Sequence, residues 1–254
     1  MAESTLYING AWVASSDGAV REIRSPHDNS VVATVSEATA ADTRDAITAA
    51  RESFDSGVYA SWSMKDRCAL VEKVADLIKR DAEILAAFET RDTGKRMVET
   101  RYDMADIEAT FRHFAALGLK LKDRKVDVGA DNITSVITHE PVGVCALIGP
   151  WNYPLLQISW KAAPALVAGC SFIIKPSELS PSTAIHLMKL LEEAGLPKGV
   201  ANLICGAGAT AGAPLTEDSR VDLVSFTGGL VTGRRIMATA AQTVKKVALE
   251  LGGK

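Results

Sequence analysis

The chain has 254 residues, of which 47% are hydrophobic, so it is long enough to bury the core of one large domain or two modest ones. Its 28 basic and 31 acidic residues are interspersed and give a net charge of −3, which excludes a broad electrostatic field for attracting nucleic acid or an anionic membrane. These features favour a protein that acts on small molecules.

The N-terminal segment predicts a cytoplasmic protein that starts with a β-hairpin. The first ten residues, MAESTLYING, lack the basic start and the apolar stretch of a secretory signal. The chain also lacks an apolar run long enough to span a bilayer. The runs Leu6–Ile8 and Trp12–Val13 flank Asn9-Gly10, a pair that tolerates positive φ and suits a two-residue turn.

From Thr39 to about Leu121 the spacing of apolar residues becomes helical. One stripe consists of Ala46, Ile47, Ala50 and Phe54, and a second consists of Leu70, Val74, Leu77 and Ile78. This pattern predicts two or three long helices, broken near Gly57 and Gly94.

A second alternating region predicts another hairpin, over residues 124–140. Residues 129–132 supply turn chemistry between two arms, whose apolar residues are Val126, Val128, Ile133, Val136 and Ile137.

In the second half of the chain, apolar strand runs alternate with helix-length segments. The runs are Val144–Ile148, Phe172–Ile174, Val200–Ile204, Val221–Phe226 and Val247–Leu251. This rhythm predicts an α/β fold with a doubly wound, Rossmann-like parallel sheet covered by helices. Pro154 suits a first helical turn, and Ser180 is expected to cap the helix after Pro181. Gly169 and Gly195 mark predicted helix ends.

The four cysteines lack paired spacing, and three lie beside apolar runs. We expect reduced, buried thiols, with neither a disulfide framework nor a zinc site or other metal site, at Cys68, Cys145, Cys170 and Cys205.

Ligands bind at the carboxyl ends of the strands in such a sheet, so the loops that follow the strands are where chemistry is expected. The loop after Ile148 places Asn152 just before Pro154. Its amide either stabilises a developing oxyanion or caps the following helix, and the loop alone leaves both interpretations open.

The next loop begins Lys175-Pro176-Ser177-Glu178. An acid at this place in a dinucleotide-binding sheet accepts hydrogen bonds from the adenosine ribose and repels a 2′-phosphate, which favours NAD over NADP. The alternative is a surface Lys–Glu pair in a turn.

Two glycine-rich loops follow the next two strands. The segment from Gly206 to Gly212 has the wrong spacing for a dinucleotide fingerprint, so it either lets backbone approach an adenine or makes a tight turn. The segment from Phe226 to Gly233 leads into a helix, whose free amides suit a pyrophosphate.

The last strand run embeds Glu250 among apolar residues beside two glycines. Burial there would raise the pKa of the carboxyl toward neutrality and suit it to general base catalysis. The alternative is a structural pair between Glu250 and a nearby lysine.

Four motifs, taken together, resemble those of the NAD(P)-dependent aldehyde dehydrogenase family: PWNYP, KPSE, FTGG with Gly233, and LELGGK. The likeness covers essentially the whole chain, including RDTGK at residues 91–95 and EPVG at residues 140–143. A set of four motifs in this order is far more specific than any one of them.

The resemblance implies that Asn152 shares an oxyanion hole and that Glu250 activates the water that hydrolyses a thioester. Lys175 and Glu178 would hold the adenosine ribose, and Lys161 matches a lysine with a charge-relay role in betaine-aldehyde members. The residues implied to line NAD are Ile148, Pro150, Trp151, Asn152, Lys175, Ser177, Glu178, Gly208, Phe226, Thr227, Gly228, Gly229, Thr232, Gly233 and Leu251.

The family mechanism uses a cysteine thiolate that attacks the aldehyde, so that hydride leaves a thiohemiacetal for nicotinamide. None of the four cysteines matches that nucleophile, which the resemblance implies at a position after Lys254. We therefore expect an NAD-binding domain formed by residues 1–123 and 141–254, with the catalytic domain outside this sequence. The alternatives are an aldehyde-oxidising enzyme, a truncated NAD-binding module without turnover, and a scaffold with neither property.

The resemblance also implies partners. Residues 124–140 resemble the arm through which these enzymes assemble, so we expect a homo-oligomer, a dimer or a tetramer. The substrate would be a small aldehyde. Gly229, where many relatives have serine, and the helix that carries Met237 resemble the betaine-aldehyde and aminoaldehyde branch.

Overall fold

The structure is a computed structural model and describes residues 4–253. Within those residues the chain forms eleven strands and eight α-helices. The strands are β1 (Leu6–Ile8), β2 (Ala11–Val13), β3 (Val20–Arg24), β4 (Val31–Ser36), β5 (Arg124–Val126), β6 (Ser135–Ile137), β7 (Val144–Ile148), β8 (Ser171–Lys175), β9 (Ala201–Leu203), β10 (Leu223–Gly228) and β11 (Lys246–Leu251). The helices are α1 (Ala40–Asp55), α2 (Met64–Arg80), α3 (Ala82–Thr93), α4 (Met97–Gly118), α5 (Pro154–Ala168), α6 (Ser182–Ala194), α7 (Ala213–Glu217) and α8 (Leu230–Ala240).

A seven-stranded sheet in the order β11-β10-β7-β8-β9-β1-β2 organises the molecule, and its first five strands are parallel. The predicted α/β fold with a parallel, Rossmann-like sheet is confirmed. All five predicted strand runs of the second half form strands, with ends that differ by at most two residues. Ile148 pairs with Lys175 on one side and with Phe226 on the other, so three strand ends that carry candidate residues lie side by side.

Burial differs sharply between the centre of this sheet and its edge. Every residue of β7 and β8 is buried, because helices α1 and α5 pack against both strands. On the edge strand β11, exposed residues alternate with half-buried ones, and the exposed ones are Lys246, Ala248 and Glu250. One face of the sheet is therefore uncovered at this edge.

The first hairpin forms as predicted. Strands β1 and β2 pair antiparallel with Ile8 opposite Ala11, and the turn between them has positive φ at Asn9 (51°) and Gly10 (78°). The predicted hairpin of residues 124–140 also forms, although β5 and β6 have only three residues each. A third hairpin, β3–β4, was not predicted.

The prediction of two or three helices between Thr39 and Leu121 was wrong, since four form there. Breaks occur at Gly57 and Gly94 as expected, and an additional one occurs at Asp81. The Asp81 carboxylate accepts from the Arg80 guanidinium (2.7 Å) and lies 2.7 Å from Nε2 of His186. The spacing of apolar residues cannot predict a polar contact of this kind to a distant helix.

The prediction that Ser180 caps a helix was also wrong. Helix α6 begins at Ser182, whose backbone N–H and hydroxyl both donate to the Asp92 carboxylate at 2.9 Å. Asp92 belongs to α3, so the cap comes from a distant segment. The Ser180 hydroxyl instead donates to the carbonyl oxygen of Trp151 (3.1 Å).

The predictions for the helix ends and for buried thiols are confirmed. Helix α5 begins at Pro154, and α5 and α6 end at Gly169 (φ 88°) and Gly195 (φ 93°) in the left-handed region. All four cysteines are free and buried. Within residues 4–253, none of the helices is long and apolar enough to cross a membrane.

Candidate functional site

A groove of about 1090 Å³ runs along the carboxyl ends of β7, β8, β10 and β11. Fourteen of the fifteen residues predicted to line a cofactor line this groove, and so does Glu250. The exception is Gly233, which is buried behind the wall, where a Cβ would lie 2.7 Å from a methyl carbon of Leu251. The sequence predictions therefore converge on one cavity.

One end of the groove is charged. Lys175 is only 3% exposed, its Nζ donates to the carbonyl oxygen of Pro176 (2.9 Å), and it lies 3.6 Å from Glu178 Oε2. Burial lowers the pKa of Lys175, and the charge of Glu178 opposes that shift. The Lys175–Glu178 pair thus forms, but the alternative interpretation of a surface pair was wrong because its lysine is buried.

The middle of the groove is bounded by glycines at the start of α8. Gly229 is the residue before the helix, and the first backbone amides of α8 have no partner within the helix. A Cβ at Gly228 would lie 2.4 Å from Cζ of Phe226, so the turn and the ring below it are in close contact. This arrangement provides a helix N-terminus beside open space, which suits an anion.

The loop that follows β7 carries Asn152, which also lines the groove. The preceding loop is fixed by two bonds: the Gly149 N–H donates to the Lys175 carbonyl (3.0 Å), and Ser180 donates to the Trp151 carbonyl. Helix α5 has Tyr153 at its N-cap and no side-chain cap bond, so the interpretation of Asn152 as the helix cap was wrong. Asn152 is exposed and makes no hydrogen bond to any residue between 4 and 253, which leaves its amide available to a ligand.

A buried charge cluster supports this loop from behind. Nζ of Lys95 lies 3.7 Å from the centre of the Tyr153 ring, and it pairs with Glu89 (3.2 Å) and Asp103 (2.5 Å). Burial raises the pKa of Glu89 to about 7, while Lys95 opposes that shift. The RDTGK segment of the sequence thereby contacts the residue next to Asn152.

Glu250 lies on the edge strand β11, opposite Thr227 of β10. The prediction of a buried carboxyl was wrong: Glu250 is exposed, because none of the helices described covers this face of the strand. Among the described residues, Glu250 alone lines both the groove and a second cavity of about 690 Å³. It is therefore placed to act between two bound molecules.

Lys161 does not line the groove but lies in the second cavity. It is buried, and its Nζ donates to the Thr227 hydroxyl (2.7 Å), which in turn donates to Gln157 Oε1 (3.1 Å). Burial lowers the pKa of Lys161 to about 8, against the raising effect of Glu250. An ion pair between Glu250 and Lys161 does not form among the described side chains, so the two interact only at longer range.

The second cavity was missed by sequence reasoning. It is lined by Asp106, Ala109, Thr110, His113, Phe114, Trp160, Lys161, Ser225, Ala248 and Glu250. The signal that was present is a stripe on α4, in which Asp106, Thr110 and His113 recur at helical spacing with a polar character that a core stripe would lack. The aromatic wall is supplied by Phe114 and by Trp160, which is 48% exposed.

None of the four cysteines lines either cavity. Burial raises the pKa of the Cys205 thiol to about 12 and raises that of Cys68 as well. A reactive thiolate facing the groove is therefore absent from residues 4–253. Lys254, the last residue of the LELGGK motif, lies outside the described residues.

Comparison with known proteins identifies close similarities. Residues 12–254 match the model of the aldehyde dehydrogenase family. The chain is 49% identical over 250 residues to betaine aldehyde dehydrogenase of Bacillus subtilis (strain 168), a match that covers 98% of this chain and 51% of that protein. It is 42% identical over 255 residues to betaine aldehyde dehydrogenase 1 of Oryza sativa subsp. japonica, of which it covers 50%. The chain thus spans about half the length of the curated relatives it matches.

Solved structures give the same result. A point mutant of betaine aldehyde dehydrogenase from Staphylococcus aureus, in complex with NAD+, superposes with a TM-score of 0.97 at 47% identity. That match covers 100% of this chain and 52% of the other. A second structure of betaine aldehyde dehydrogenase from Staphylococcus aureus, also with NAD+, gives a TM-score of 0.96 at 48% identity.

Proposed function

The chain belongs to the aldehyde dehydrogenase family, and from this premise we propose that it forms the NAD-binding half of an enzyme that oxidises an aldehyde to a carboxylic acid. The observation that carries the proposal is the groove itself, which brings Asn152, Glu178, the Gly228 turn and Glu250 around one space. Its volume is at the upper end of the range for ligand clefts, as an extended dinucleotide requires.

The chemistry of the groove residues supports one orientation of NAD. Glu178 would accept hydrogen bonds from the adenosine ribose, with Lys175 beside it. The pyrophosphate would lie at the backbone amides that begin α8. Position 228 in the turn before this helix has no room for a side chain larger than that of glycine. The nicotinamide would then reach the end of the groove that holds Asn152 and Glu250.

The coenzyme we propose is NAD rather than NADP. A 2′-phosphate would lie next to the Glu178 carboxylate, and the two negative charges would repel each other. Two of the structurally similar proteins were solved with NAD+, which supports NAD as a coenzyme.

We assign three catalytic roles. The Asn152 amide would donate to the oxyanion that forms when a nucleophile attacks the aldehyde. NAD, when bound, accepts the hydride. Glu250, placed between the two cavities, would take a proton from the water that hydrolyses the thioester. Lys161 would contribute through Thr227, to which it donates, rather than by direct contact with the cofactor.

The nucleophilic cysteine of the family mechanism is not supplied by residues 4–253, since all four thiols are buried away from both cavities. For the 254 residues alone, the candidate function is therefore NAD binding without dehydrogenase turnover. Residues 1–123 and 141–254 would form the NAD-binding domain in this proposal.

The substrate class we propose is a cationic aldehyde, as in the betaine-aldehyde branch. The second cavity combines the carboxylate of Asp106 with the exposed face of Trp160, and a quaternary ammonium is attracted by both groups. Glu250 joins this cavity to the proposed nicotinamide site. The names of the most similar relatives agree with this choice.

Residues 124–140 are proposed as the arm through which the protein assembles into a dimer or tetramer. Nearly every residue of this hairpin is exposed, including Val136 (45%) and Ile137 (42%) of β6. An exposed two-stranded edge with apolar side chains invites pairing with a second copy.

One experiment separates the candidate functions. NAD is titrated into the purified chain by calorimetry, and NADH absorbance is then followed with betaine aldehyde and with an uncharged aldehyde of similar size. Binding without turnover supports the NAD-binding module. Turnover would contradict the absence of a usable nucleophile, and a chain that binds no NAD would contradict the proposal as a whole. The variant Glu178→Lys serves as the matched control, because it is expected to abolish the ribose contact without altering the fold.

A further inference from the structure

A second ion pair lies beside the charged end of the groove. Nε of Arg21, on β3, donates to Oε2 of Glu37 at 2.6 Å, and Nη2 donates to Oε1 at 2.8 Å. Both partners of this bidentate pair are partly shielded, with 36% of the Arg21 side chain and 20% of the Glu37 side chain exposed. A guanidinium held in this way has little freedom to bind another anion.

Glu37 is tied directly to the wall of the groove. Its Oε1 also accepts from the backbone N–H of Ala207 (2.9 Å), the residue before Gly208, which lines the groove. The neighbouring Ala38 N–H donates to the carbonyl oxygen of Cys205 (2.7 Å). These bonds place the Arg21–Glu37 pair near the carboxyl end of β9. Strand β9 is next to β8, which ends at Lys175 and is followed by Glu178.

The four charged groups interact across this end of the groove. The pKa of Arg21 is raised, mainly by its hydrogen bond to Glu37 and further by the charges of Glu37 and Glu178. The pKa of Glu37 is lowered, mainly by its hydrogen bond to Arg21, with a contribution from the charge of Lys175. Each cation is therefore neutralised by its own acid and is not available for a phosphate.

We propose that Glu37 is a second coenzyme-specificity residue, which engages Arg21 and so prevents this guanidinium from binding the 2′-phosphate of NADP. The inference rests on the proposed NAD function. Rejection of NADP would then have two components: repulsion by Glu178, and the pairing of Arg21 with Glu37, which makes that guanidinium unavailable to the phosphate. Arg21 would become the phosphate ligand once its partner is neutral.

The variant Glu37→Gln tests this inference. Glutamine keeps an oxygen that can accept from the Ala207 N–H, so the contact with the wall of the groove is retained while the charge that holds Arg21 is removed. One new charge-assisted hydrogen bond between Arg21 and the 2′-phosphate is expected to lower the Kd for NADP about tenfold. The Kd for NAD, which lacks the phosphate, should change by less than about threefold.

Two further variants make the result specific. The double variant Arg21→Gln with Glu37→Gln lacks the guanidinium, so its Kd for NADP should return to within about threefold of the unmodified chain. Glu83→Gln breaks a similar pair, in which Arg101 Nε and Nη2 each lie 2.9 Å from the Glu83 carboxylate. Because Glu83 does not line the groove, this control should leave both constants unchanged.

Calorimetric titrations of the four proteins with NAD and with NADP give a clear decision. A tenfold gain for NADP in Glu37→Gln alone supports the inference. Unchanged NADP binding in Glu37→Gln, or an equal gain in the double variant, would overturn it while the proposed function stands. Failure of the unmodified chain to bind NAD would instead overturn the proposed function and the inference together.

Discussion

Two adjacent glycines of the proposed pyrophosphate turn are expected to respond very differently to the same substitution. A Cβ at Gly228 would lie 2.4 Å from Cζ of Phe226, whereas a Cβ at Gly229 would have no atom within 4 Å. In Gly228→Ala the aromatic ring must move by roughly 1 Å to restore ordinary van der Waals distance. The ring is only 7% exposed, so it has little free space into which to move.

The magnitude follows from these contacts. Overpacking of this kind destabilises a protein by about 1–3 kcal/mol. Gly229 has φ −74° and ψ 146°, which alanine adopts without strain, but Gly229 is also the N-cap of α8, where alanine is less favourable than glycine. The gain through the unfolded state is therefore offset, and Gly229→Ala should change the free energy of unfolding by less than about 1 kcal/mol. The free energy of unfolding of Gly228→Ala should therefore be lower than that of Gly229→Ala by roughly 1–3 kcal/mol.

Denaturant unfolding and NAD calorimetry check this prediction. Because Phe226 lines the groove, its displacement in Gly228→Ala should raise the Kd for NAD at least about tenfold. Gly229→Ala should bind NAD within about threefold of the unmodified chain. Equal unfolding midpoints and equal affinities for the two variants would refute the close contact between Gly228 and Phe226 on which the reasoning depends.

Three further predictions concern buried charges and assembly. Burial raises the pKa of Asp92 to about 6 from 3.8. Between about pH 4 and pH 6 the Asp92 carboxyl is therefore protonated more in the folded than in the unfolded chain, so the free energy of unfolding falls as the pH rises through this range. Asp92→Asn, which keeps an acceptor for Ser182, should remove this dependence, worth at most about 3 kcal/mol, in urea unfolding at pH 4 and pH 7. Burial lowers the pKa of Lys161 to about 8 from 10.5, so the folded state loses its proton first and stability rises between about pH 8 and 10.5. Lys161→Met should abolish that rise in the same assay. Val136→Asp should weaken self-association at least about tenfold in sedimentation velocity, because it places a charge on the exposed face of the hairpin.

Each of these predictions has an outcome that contradicts it. An Asp92→Asn chain with the pH dependence of the unmodified protein would show that Asp92 ionises normally when folded. An unchanged slope in Lys161→Met would show the same for Lys161. A Val136→Asp chain with the sedimentation coefficient of the unmodified protein would remove the hairpin from the assembly interface.

The sheet could be predicted from sequence because its signal is local. The run Val144–Ile148 is apolar throughout, as a strand covered on both faces must be, and it forms β7 with the predicted ends. Gly169 and Gly195 end their helices in the left-handed conformation that glycine adopts most easily. Residue type alone carries the structural information in these cases.

The errors arose where distant segments decide the structure. Asp92 of α3 caps α6, so Ser180, the local candidate, was free to bind the Trp151 carbonyl. Asp81, at the break between α2 and α3, contacts His186, far along the chain. Such pairings cannot be deduced from the spacing of residues within one segment.

The site was predicted in part for the same reason. Loops that follow parallel strands converge at one edge, so the groove followed from the order of the strands. The exposure of Glu250 could not be predicted in this way. An apolar run of this length can form a central strand or, as β11 does, an edge strand with one open face. The second cavity lies between residues of α4 and α5 and the open face of β10 and β11, an arrangement that no single segment reveals.

The central claim is that one groove binds NAD in an extended conformation, and the most direct test is a crystal structure of the chain grown with NAD. We predict the adenosine ribose at Glu178, the pyrophosphate at the start of α8, and the nicotinamide between Asn152 and Glu250. Density for the dinucleotide on another face of the molecule, or in the reverse orientation along the groove, would contradict this binding mode.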